Sequence, residues 1–196
     1  YLGIYSILAW LDAPFNLKSY KPGQPETETT YMGCRTRVMG NVCGEEVASG
    51  RGNLSFTTIN LPRLGIKHGI VNGRSNANID EFFEDLDEKI DLVIDQLLER
   101  MQIQGNKKVK NFPFLMGQGI WQGSDKLSPE DTLQDVIKQG TLTVGFIGLA
   151  ECLIALTGQH HGESEESQEL GLKIVSHMRK RMDEATEKYK LNFSLI

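Results

Sequence analysis

Apolar residues recur every three or four positions in two long stretches of the chain, and this spacing predicts two amphipathic helices. The first covers residues 79–101, with Asn78 or Asp80 as its N-cap and Gly105 beyond its end. The second covers about residues 164–190 and carries charged residues on its other face. We interpret the charged side of the first helix as a solvated surface.

Three other segments have patterns typical of strands or of a buried helix. Residues 53–61 are rich in β-branched and aromatic side chains and precede Pro62, which predicts a strand with Asn53 at its start. Residues 140–158 are almost uncharged and predict a buried strand or loop that leads into a core helix. Residues 191–196 predict a closing strand. Alternating strands and long helices indicate an α/β fold, although few strands are visible for so many helical residues.

Two further segments are rich in turn and capping residues. Residues 13–30 contain three of the six prolines and predict an irregular connection. In the segment 128–140, Ser128 is placed to cap a helix, Pro129 to occupy its first position and Gly140 to follow its end. This segment therefore predicts a short helix.

Composition narrows the class of protein. The 196 residues are 39% apolar and 24% charged, which is sufficient for one folded domain. A formal net charge of −5 argues against a broad nucleic-acid-binding face, while a local basic pocket remains compatible with it. No apolar run is long enough to span a membrane, and the first residues lack the features of a signal peptide. We therefore expect a cytoplasmic protein.

The three cysteines are Cys34, Cys43 and Cys152, an odd number without CxxC spacing, which speaks against a disulfide framework and against a structural zinc site. Cys34 is the candidate reactive cysteine, because it lies in the glycine-rich segment 31–53 and two arginines follow within three positions. A free cysteine is more often a small buried side chain, but neighbouring positive charge favours the thiolate and can hold a phosphate-bearing substrate. We interpret Cys43 as an incidental thiol and Cys152 as a core residue.

Asn53 follows the sequence "GRG" at the start of the predicted strand. It is either a turn residue that tolerates unusual backbone angles or a side chain whose amide hydrogen-bonds sugar hydroxyls. The segment is neither a Walker motif nor a dinucleotide fingerprint, because it lacks the GK[ST] ending and the GxGxxG spacing.

The four histidines give no clear metal site. His160, His161 and Glu163 are close in sequence, but adjacent histidines point in different directions and the acids fit a helix N-terminus. We therefore favour capping over metal binding for this segment. His68 and His177 have no evident sequence partners and stay unassigned.

Six segments carry a family resemblance. In chain order they are "DAPFN", "YMGCRTRVMGNV", "GRGNLSFTTINLPRLGI", "FPFLMGQGIW", "GTLTVGFIGLAECLIALTGQHHGES" and "NFSLI". Together they resemble the catalytic domain of anaerobic (class III) ribonucleoside-triphosphate reductases. The similarity covers residues 12–196, and several long motifs in one order are more specific than any single short motif.

The resemblance implies a fold and a set of site residues. Residues 1–196 would form a single partial catalytic barrel domain, part of the ten-stranded α/β barrel of glycyl-radical enzymes, with residues 31–53 as the finger loop inside it. In that family a cysteine at the loop tip becomes a thiyl radical that abstracts the 3′ hydrogen of the substrate ribose, and Cys34 matches it. Asn53 matches the asparagine that hydrogen-bonds the ribose. We also expect substrate binding by Gly33, Arg35 and Ser55, and no metal ligand.

Other parts of that family have no match in these residues. They are the N-terminal regulatory module, which binds ATP and nucleotide effectors, and the C-terminal glycyl-radical segment with its four-cysteine zinc site. We therefore expect a fragment of a longer reductase that binds no cofactor itself and is inactive alone. The resemblance further implies a ribonucleoside triphosphate substrate, an iron–sulfur, adenosylmethionine-dependent activating enzyme and a homodimer. Whether formate or a dithiol protein supplies the electrons is left open.

Two other functions stay open. The chain could be a non-catalytic nucleotide-binding or assembly module in which Cys34 is inert. It could also belong to another glycyl-radical enzyme, such as an acyl lyase, although those have two adjacent cysteines at the loop tip and Cys34 lies between Gly33 and Arg35. We expect no nucleic-acid or membrane partner.

Overall fold

The computed structural model describes residues 14–18, 20–24, 27, 29–32, 36–38, 40–44, 46 and 50–196. These residues form two compact units. Unit 1 contains the described residues of 1–54 together with 102–141 and 190–192, and unit 2 contains 55–101, 142–189 and 193–196.

Helices and strands are interspersed along the described residues. In chain order they are α1 (Pro14–Leu17), β1 (Thr30–Met32), β2 (Thr36–Val38), β3 (Asn53–Asn60), α2 (Leu61–His68), α3 (Ile79–Gly105), α4 (Gln134–Ile137), β4 (Thr141–Ile147), α5 (Leu149–Thr157), α6 (Glu165–Tyr189) and β5 (Asn192–Leu195). The predicted α/β class is confirmed by this arrangement.

β4 lies between β3 and β5 in a three-stranded sheet. Next to β5, the backbone of Ile196 donates to the carbonyl of Val144 at 3.0 Å and accepts from the N–H of Phe146 at 3.0 Å. In parallel strands, the N–H and the carbonyl of one residue bond to two residues of the neighbouring strand that are two positions apart. β5 is therefore parallel to β4.

β3 is also parallel to β4. Thr141 N donates to Gly52 O at 2.7 Å where both strands begin, and Gly145 lies against the side chain of Thr58 further along both strands. Parallel neighbours need crossover connections, which the helices between the strands supply. The predicted strands at 53–61 and 191–196 are thus confirmed as elements of one sheet. The segment 140–158, for which we expected a buried strand or loop that leads into a core helix, contains the strand β4 followed by α5.

α2 begins directly where β3 ends. Asn60 accepts a hydrogen bond from Arg63 N through its side-chain oxygen at 3.2 Å, and Pro62 stands in the first turn, where its missing N–H costs no hydrogen bond. Leu61 therefore belongs to the helix, so the predicted strand was one residue too long. The sequence pattern had not predicted α2.

The two long predicted helices are confirmed, with small differences at their ends. The side-chain oxygen of Asn78 accepts a hydrogen bond from Glu81 N at 3.2 Å, so Asn78 is the N-cap of α3. Gly105 is the last residue of α3 and does not lie beyond its end. Ser164 caps α6 by accepting from Ser167 N at 3.2 Å.

α2 and α5 pack closely because two glycines face α5. A methyl group at Gly65 would lie 2.8 Å from the carbonyl oxygen of Cys152, and one at Gly69 would overlap the carbonyl group of Ala155. Cys152 is fully buried, which confirms its predicted core position. Gly65 lies within α2 and Gly69 directly follows its last residue, and the missing side chains at these two positions permit this approach.

The sheet presents two different faces. The buried face carries Ile59, Leu142, Val144 and Phe193. On the other face, Thr58, Gly145 and Ile196 are neighbours, so alternation places Phe56 and Ile147 on that face as well. Its three large apolar residues are exposed: Phe56 by 66%, Ile147 by 62% and Ile196 by 53%.

Unit 1 has its own apolar core. Its buried members are Val109, Met116, Leu133 and Ile137, with Leu54, Phe112, Trp121, Leu127 and Val136 packed around them. Near the start of unit 1, α1 is one short turn within the segment that was predicted to be irregular.

The predicted helix at 128–140 is wrong over its first half, since only α4 is α-helical there. The carbonyl of Pro129 accepts from Lys110 N at 2.9 Å, and that of Asp131 accepts from Val109 N at 3.0 Å. Ser128 N donates to the carboxylate of Asp131 at 2.8 Å. The two bonds from Val109 and Lys110 use carbonyl groups that a helix would need, and the bond of Ser128 to Asp131 forms a local turn instead.

Among the described residues, no helix combines the length and the apolar character needed to cross a membrane.

Candidate active site

The predicted radical cysteine, Cys34, and its neighbours Gly33 and Arg35 lie outside the described residues. On either side of them, β1 and β2 pair in antiparallel fashion, with Met32 opposite Thr36.

Asn53 is the first residue of β3 and is exposed. The preceding residue, Gly52, accepts a backbone hydrogen bond from Thr141 at the start of β4. The amide of Asn53 therefore stands at a strand end whose backbone is held by the neighbouring strand. An exposed amide on a fixed backbone can both donate to and accept from a polar ligand.

Arg51 connects the start of β3 to the backbone just before β4. Its Nη1 donates to the carbonyl oxygen of Gln139 at 2.6 Å. Burial lowers the pKa of Arg51, and the nearby Cys43 acts in the opposite direction. A guanidinium stays charged despite such a change, so Arg51 brings a positive charge next to Asn53 in sequence.

Cys43, which was interpreted as an incidental thiol, is half-buried. Its sulfur lies 3.6 Å from the carbonyl oxygen of Leu191, and the preceding Val42 N donates to Asn192 Oδ1 at 3.0 Å. These contacts hold residues 42–43 against Leu191 and Asn192, where β5 begins.

Ser55, the other substrate-binding residue that was predicted on β3, is buried within unit 2. Arg100 Nη1 lies 3.4 Å from its hydroxyl and donates to Phe56 O at 3.0 Å and to Thr57 Oγ1 at 3.2 Å. Gln96 Oε1 accepts from Thr57 Oγ1 at 2.8 Å. One face of α3 thus fixes the first residues of β3 in unit 2.

The charged side of α3 is more than a solvated surface, and here the sequence interpretation was wrong. Asp85 is buried, and its carboxylate lies 2.7 Å from Lys67 Nζ, 3.0 Å from His68 Nε2 and 2.9 Å from Lys89 Nζ. Hydrogen bonds from Lys67, His68 and Lys89 hold the pKa of Asp85 well below its usual range. His68 had no partner in the sequence because Asp85 is seventeen positions away.

A second cluster joins α3 to α6. His177 Nε2 lies 2.8 Å from Asp87 Oδ1, and Arg181 bonds both Asp87 and Asp91. The ring of Phe83 contacts His177 edge-on at 5.1 Å. His177 thus has a structural partner ninety positions away, which no local motif could indicate.

Cys152 has no reactive environment. Burial raises the pKa of its thiol to about 12, so the thiolate is scarce at neutral pH. Its contact with Gly65 belongs to helix packing.

The segment with two histidines forms a local turn. Glu163 Oε2 accepts from His160 N at 2.8 Å, and His160 Nδ1 accepts from Gly162 N at 3.0 Å. These bonds agree with the interpretation of Glu163 as a residue that satisfies backbone N–H groups. In the part of the chain that the structure describes, no three His, Cys, Asp or Glu side chains are grouped so as to hold a metal ion.

Comparison with known proteins gives one consistent family. Residues 5–196 match the family model described as anaerobic ribonucleoside-triphosphate reductase. Curated relatives with that same name include those of Escherichia coli, 31% identical over 173 residues, Salmonella typhimurium, 30% over 171, and Enterobacteria phage T4, 28% over 168. These alignments cover 84–85% of this chain but only 23–25% of each relative, so the chain spans about a quarter of their length.

Solved structures share the fold. The anaerobic ribonucleotide reductase from Thermotoga maritima with glycerol in its active site matches 87% of this chain and 24% of its own, with a TM-score of 0.53 at 16% identity. The same enzyme with citrate in its active site matches 78% of this chain and 25% of its own, with a TM-score of 0.51 at 15% identity.

Proposed function

The chain belongs to the anaerobic ribonucleoside-triphosphate reductase family, and we propose that it supplies the substrate-activating part of such an enzyme. The whole protein would reduce ribonucleoside triphosphates to deoxyribonucleotides for DNA precursor synthesis. The observation that carries the proposal is the family match over residues 5–196, which includes Cys34 and the strand end at Asn53.

Cys34 is the proposed catalytic residue. As a thiyl radical, it takes the hydrogen atom from C3′ of the ribose, so an S–H bond forms, the C3′–H bond breaks and a carbon radical remains on the sugar. The 2′-hydroxyl then leaves as water after taking up a proton, and two electrons and a second proton reduce the sugar, which is still a carbon radical at C3′. Cys34 S–H then returns a hydrogen atom to C3′, so the deoxyribonucleotide is complete and the thiyl radical is regenerated. Formate or a dithiol protein is the donor of those electrons. A glycyl radical outside these residues supplies the oxidation that makes the thiyl.

Asn53 is the proposed partner of the ribose hydroxyls. Its position supports this role, because Asn53 is an exposed residue at the start of β3 and the adjacent Gly52 is bonded to β4. Such fixed positioning of a reactant is a large part of catalysis. Gly33, Arg35 and Ser55 are the other proposed substrate-binding residues, with the Arg35 guanidinium suited to phosphate.

The proposed fold is part of a ten-stranded α/β barrel, with residues 1–196 as one partial barrel domain and 31–53 as the loop inside it. Three parallel strands with an exposed apolar face support this proposal. Purely parallel sheets are normally covered on both faces, and closure into a barrel with a loop inside covers the second face.

We propose the same partners and cofactors that the family resemblance implies. The whole protein would be a cytoplasmic homodimer, regulated by nucleotides on its N-terminal module and activated by an iron–sulfur, adenosylmethionine-dependent enzyme. Zinc would be held by cysteines of the C-terminal segment, and none of the residues of this chain is assigned to it.

The test is the Cys34→Ala variant in the whole reductase that contains this chain. We expect deoxyribonucleotide formation to be abolished while the glycyl radical, measured by electron paramagnetic resonance, still forms. Cys43→Ala is the matched control and should retain turnover. Unchanged turnover in Cys34→Ala would sink the proposal.

A further inference from the structure

A cavity of about 450 Å³ lies in unit 1, close in sequence to the strand end that carries Asn53. Gly50, Gln122 and Gln139 contribute to its lining. Gly50 precedes Asn53 by three residues, so their Cα atoms are at most about 11 Å apart. The cavity is therefore within the reach of one nucleoside from the proposed ribose contact.

Two carboxamide groups converge over the bare backbone of Gly50. A methyl group at Gly50 would lie 2.6 Å from Gln122 Oε1 and 3.5 Å from Gln139 Oε1, so these two oxygens are at most about 6 Å apart. Gly50 also has φ +74°, which side-chain-bearing residues rarely adopt. The backbone conformation of Gly50 and its lack of a side chain leave room for the amides of both glutamines.

Hydrogen bonds fix the backbone near both glutamines. Arg51 Nη1 donates to the carbonyl of Gln139, which fixes the backbone at that side of the cavity. On the other side, Trp121 Nε1 donates to the carbonyl of Val136 at 3.0 Å, next to Gln122 in the chain. Polar groups held in this way can select a ligand with little loss of entropy on binding.

The charges at the rim indicate which part of a nucleotide fits. Asp125 and Asp135 are exposed at the cavity, with Lys126 as the cation among its lining residues. Lys138 pairs with Asp135 at 3.6 Å, so the charges at this rim balance and offer no excess positive charge to a triphosphate. The two carboxamides instead offer hydrogen-bond donors and acceptors to the edge of an uncharged planar ring, such as a nucleobase. A carboxamide can also rotate by half a turn, which exchanges the positions of its donor and its acceptor.

We propose that this cavity is the nucleobase subsite of the substrate, with Gln122 and Gln139 as the residues that read the base edge. The inference rests on the proposed function, because it takes a ribonucleoside as the ligand. Since both amides can turn over, the site accepts purines and pyrimidines alike.

Nuclear magnetic resonance of the side-chain amides in the 196-residue chain tests this inference directly. The Gln122→Leu and Gln139→Leu variants assign the two amide signals and remove one hydrogen-bonding group each. Gln168→Leu, an exposed change in α6, is the matched control. Adenosine and cytidine are the probes, and inorganic tripolyphosphate is the counter-probe.

We expect both nucleosides to shift the Gln122 and Gln139 signals in a saturable way and tripolyphosphate to leave them in place. Each Leu variant should weaken nucleoside binding, followed through the remaining amide, by about tenfold, the effect of one lost hydrogen bond. Gln168→Leu should bind as the unchanged chain does. Shifts with tripolyphosphate only, or with neither probe, would overturn the base subsite.

This readout is independent of radical chemistry. A chain without nucleoside shifts, in a reductase whose turnover depends on Cys34, would remove the subsite and leave the proposed function standing. Saturable shifts in a protein whose turnover does not depend on Cys34 would leave the nucleoside site standing and remove the proposed function.

Discussion

Asp85 accepts hydrogen bonds from Lys67 and His68 and pairs with Lys89, while its side chain is only 6% exposed. A carboxylate removed from water needs such partners, and a neutral amide would satisfy them less well. We expect Asp85→Asn to lower the free energy of unfolding by about 1–3 kcal/mol at neutral pH, measured by urea denaturation.

Glu99→Gln is the matched control, since Glu99 is an exposed acid on the same helix. Its unfolding free energy should stay within about 0.5 kcal/mol of the unchanged chain. Equal effects of the two substitutions would contradict a specific role for the Asp85 contacts.

The Asp85 contacts also predict a direction for the pH dependence. The folded-state pKa of Asp85 is depressed, so the unfolded chain binds more protons as the pH falls, and acid favours unfolding. The stability gap between the unchanged chain and Asp85→Asn should be constant near neutral pH and shrink as the pH falls below about 4, the ordinary range of an aspartate. Urea denaturation at a series of pH values measures it, and a gap that widens in acid would contradict the assignment.

Cys152 should resist alkylation in the folded chain. Its thiol is buried and its pKa is raised to about 12, so both access and thiolate are lacking. Treatment with iodoacetamide at pH 8, followed by peptide mass spectrometry, should modify the half-buried Cys43 first and Cys152 only after denaturation. Modification of Cys152 as fast as Cys43 in the folded chain would show that the α2–α5 contact opens readily.

At the scale of elements, the contact between α2 and α5 depends on glycine at position 69. A methyl group there would overlap the carbonyl of Ala155, which belongs to a helix backbone and cannot turn aside as a side chain would. We expect Gly69→Ala to destabilise unit 2 by about 1–3 kcal/mol, measured as a lower midpoint in thermal or urea unfolding.

Gly105→Ala provides the comparison. A methyl group at Gly105 would meet Gln134 at 3.5 Å, an ordinary contact, so this variant should change stability by less than about 1 kcal/mol. If Gly69→Ala were as stable as Gly105→Ala, the two helices would not be as close as the structure indicates.

The sequence predicted elements well where one local periodicity decides them. α3, α6 and β3 to β5 follow from spacing within each segment, whereas α2 was missed because it is short and begins directly at a strand end. The segment 128–140 has good helix signals, but backbone bonds to residues 109–110 override its first half. Such bonds join residues about twenty positions apart, which local propensity does not encode.

Among the residues of the candidate site, too, the sequence gives a prediction only where the signal lies within one segment. Cys34 and Asn53 were predicted from motifs that lie within one segment. The contacts of Arg100 with β3 and of His177 with Asp87 were not, because each joins residues forty to ninety positions apart. Partners of that kind become visible only when the helices are placed against the sheet.

At the scale of the whole molecule, the exposed apolar side chains on one face of the sheet set how the chain behaves. Phe56, Ile147 and Ile196 form an apolar surface on three parallel strands, and among the described residues β3 and β5 have no further strand beside them. Exposed apolar patches and open strand edges both favour association with other chains.

We therefore expect the 196-residue chain to self-associate through this face. Replacing Phe56 and Ile147 together by threonine places β-branched residues, which suit strands, at both positions while removing apolar surface. The double variant should therefore sediment as a 22.0 kDa monomer over a wide concentration range. Leu92→Thr with Leu172→Thr removes equally exposed apolar residues from α3 and α6 and should leave association unchanged, because those side chains project from helices that already pack against other elements. Sedimentation velocity distinguishes the two pairs. If the helix pair abolished association and the sheet pair did not, the exposed sheet would have no part in it, and the main physical support for a covering barrel would be lost.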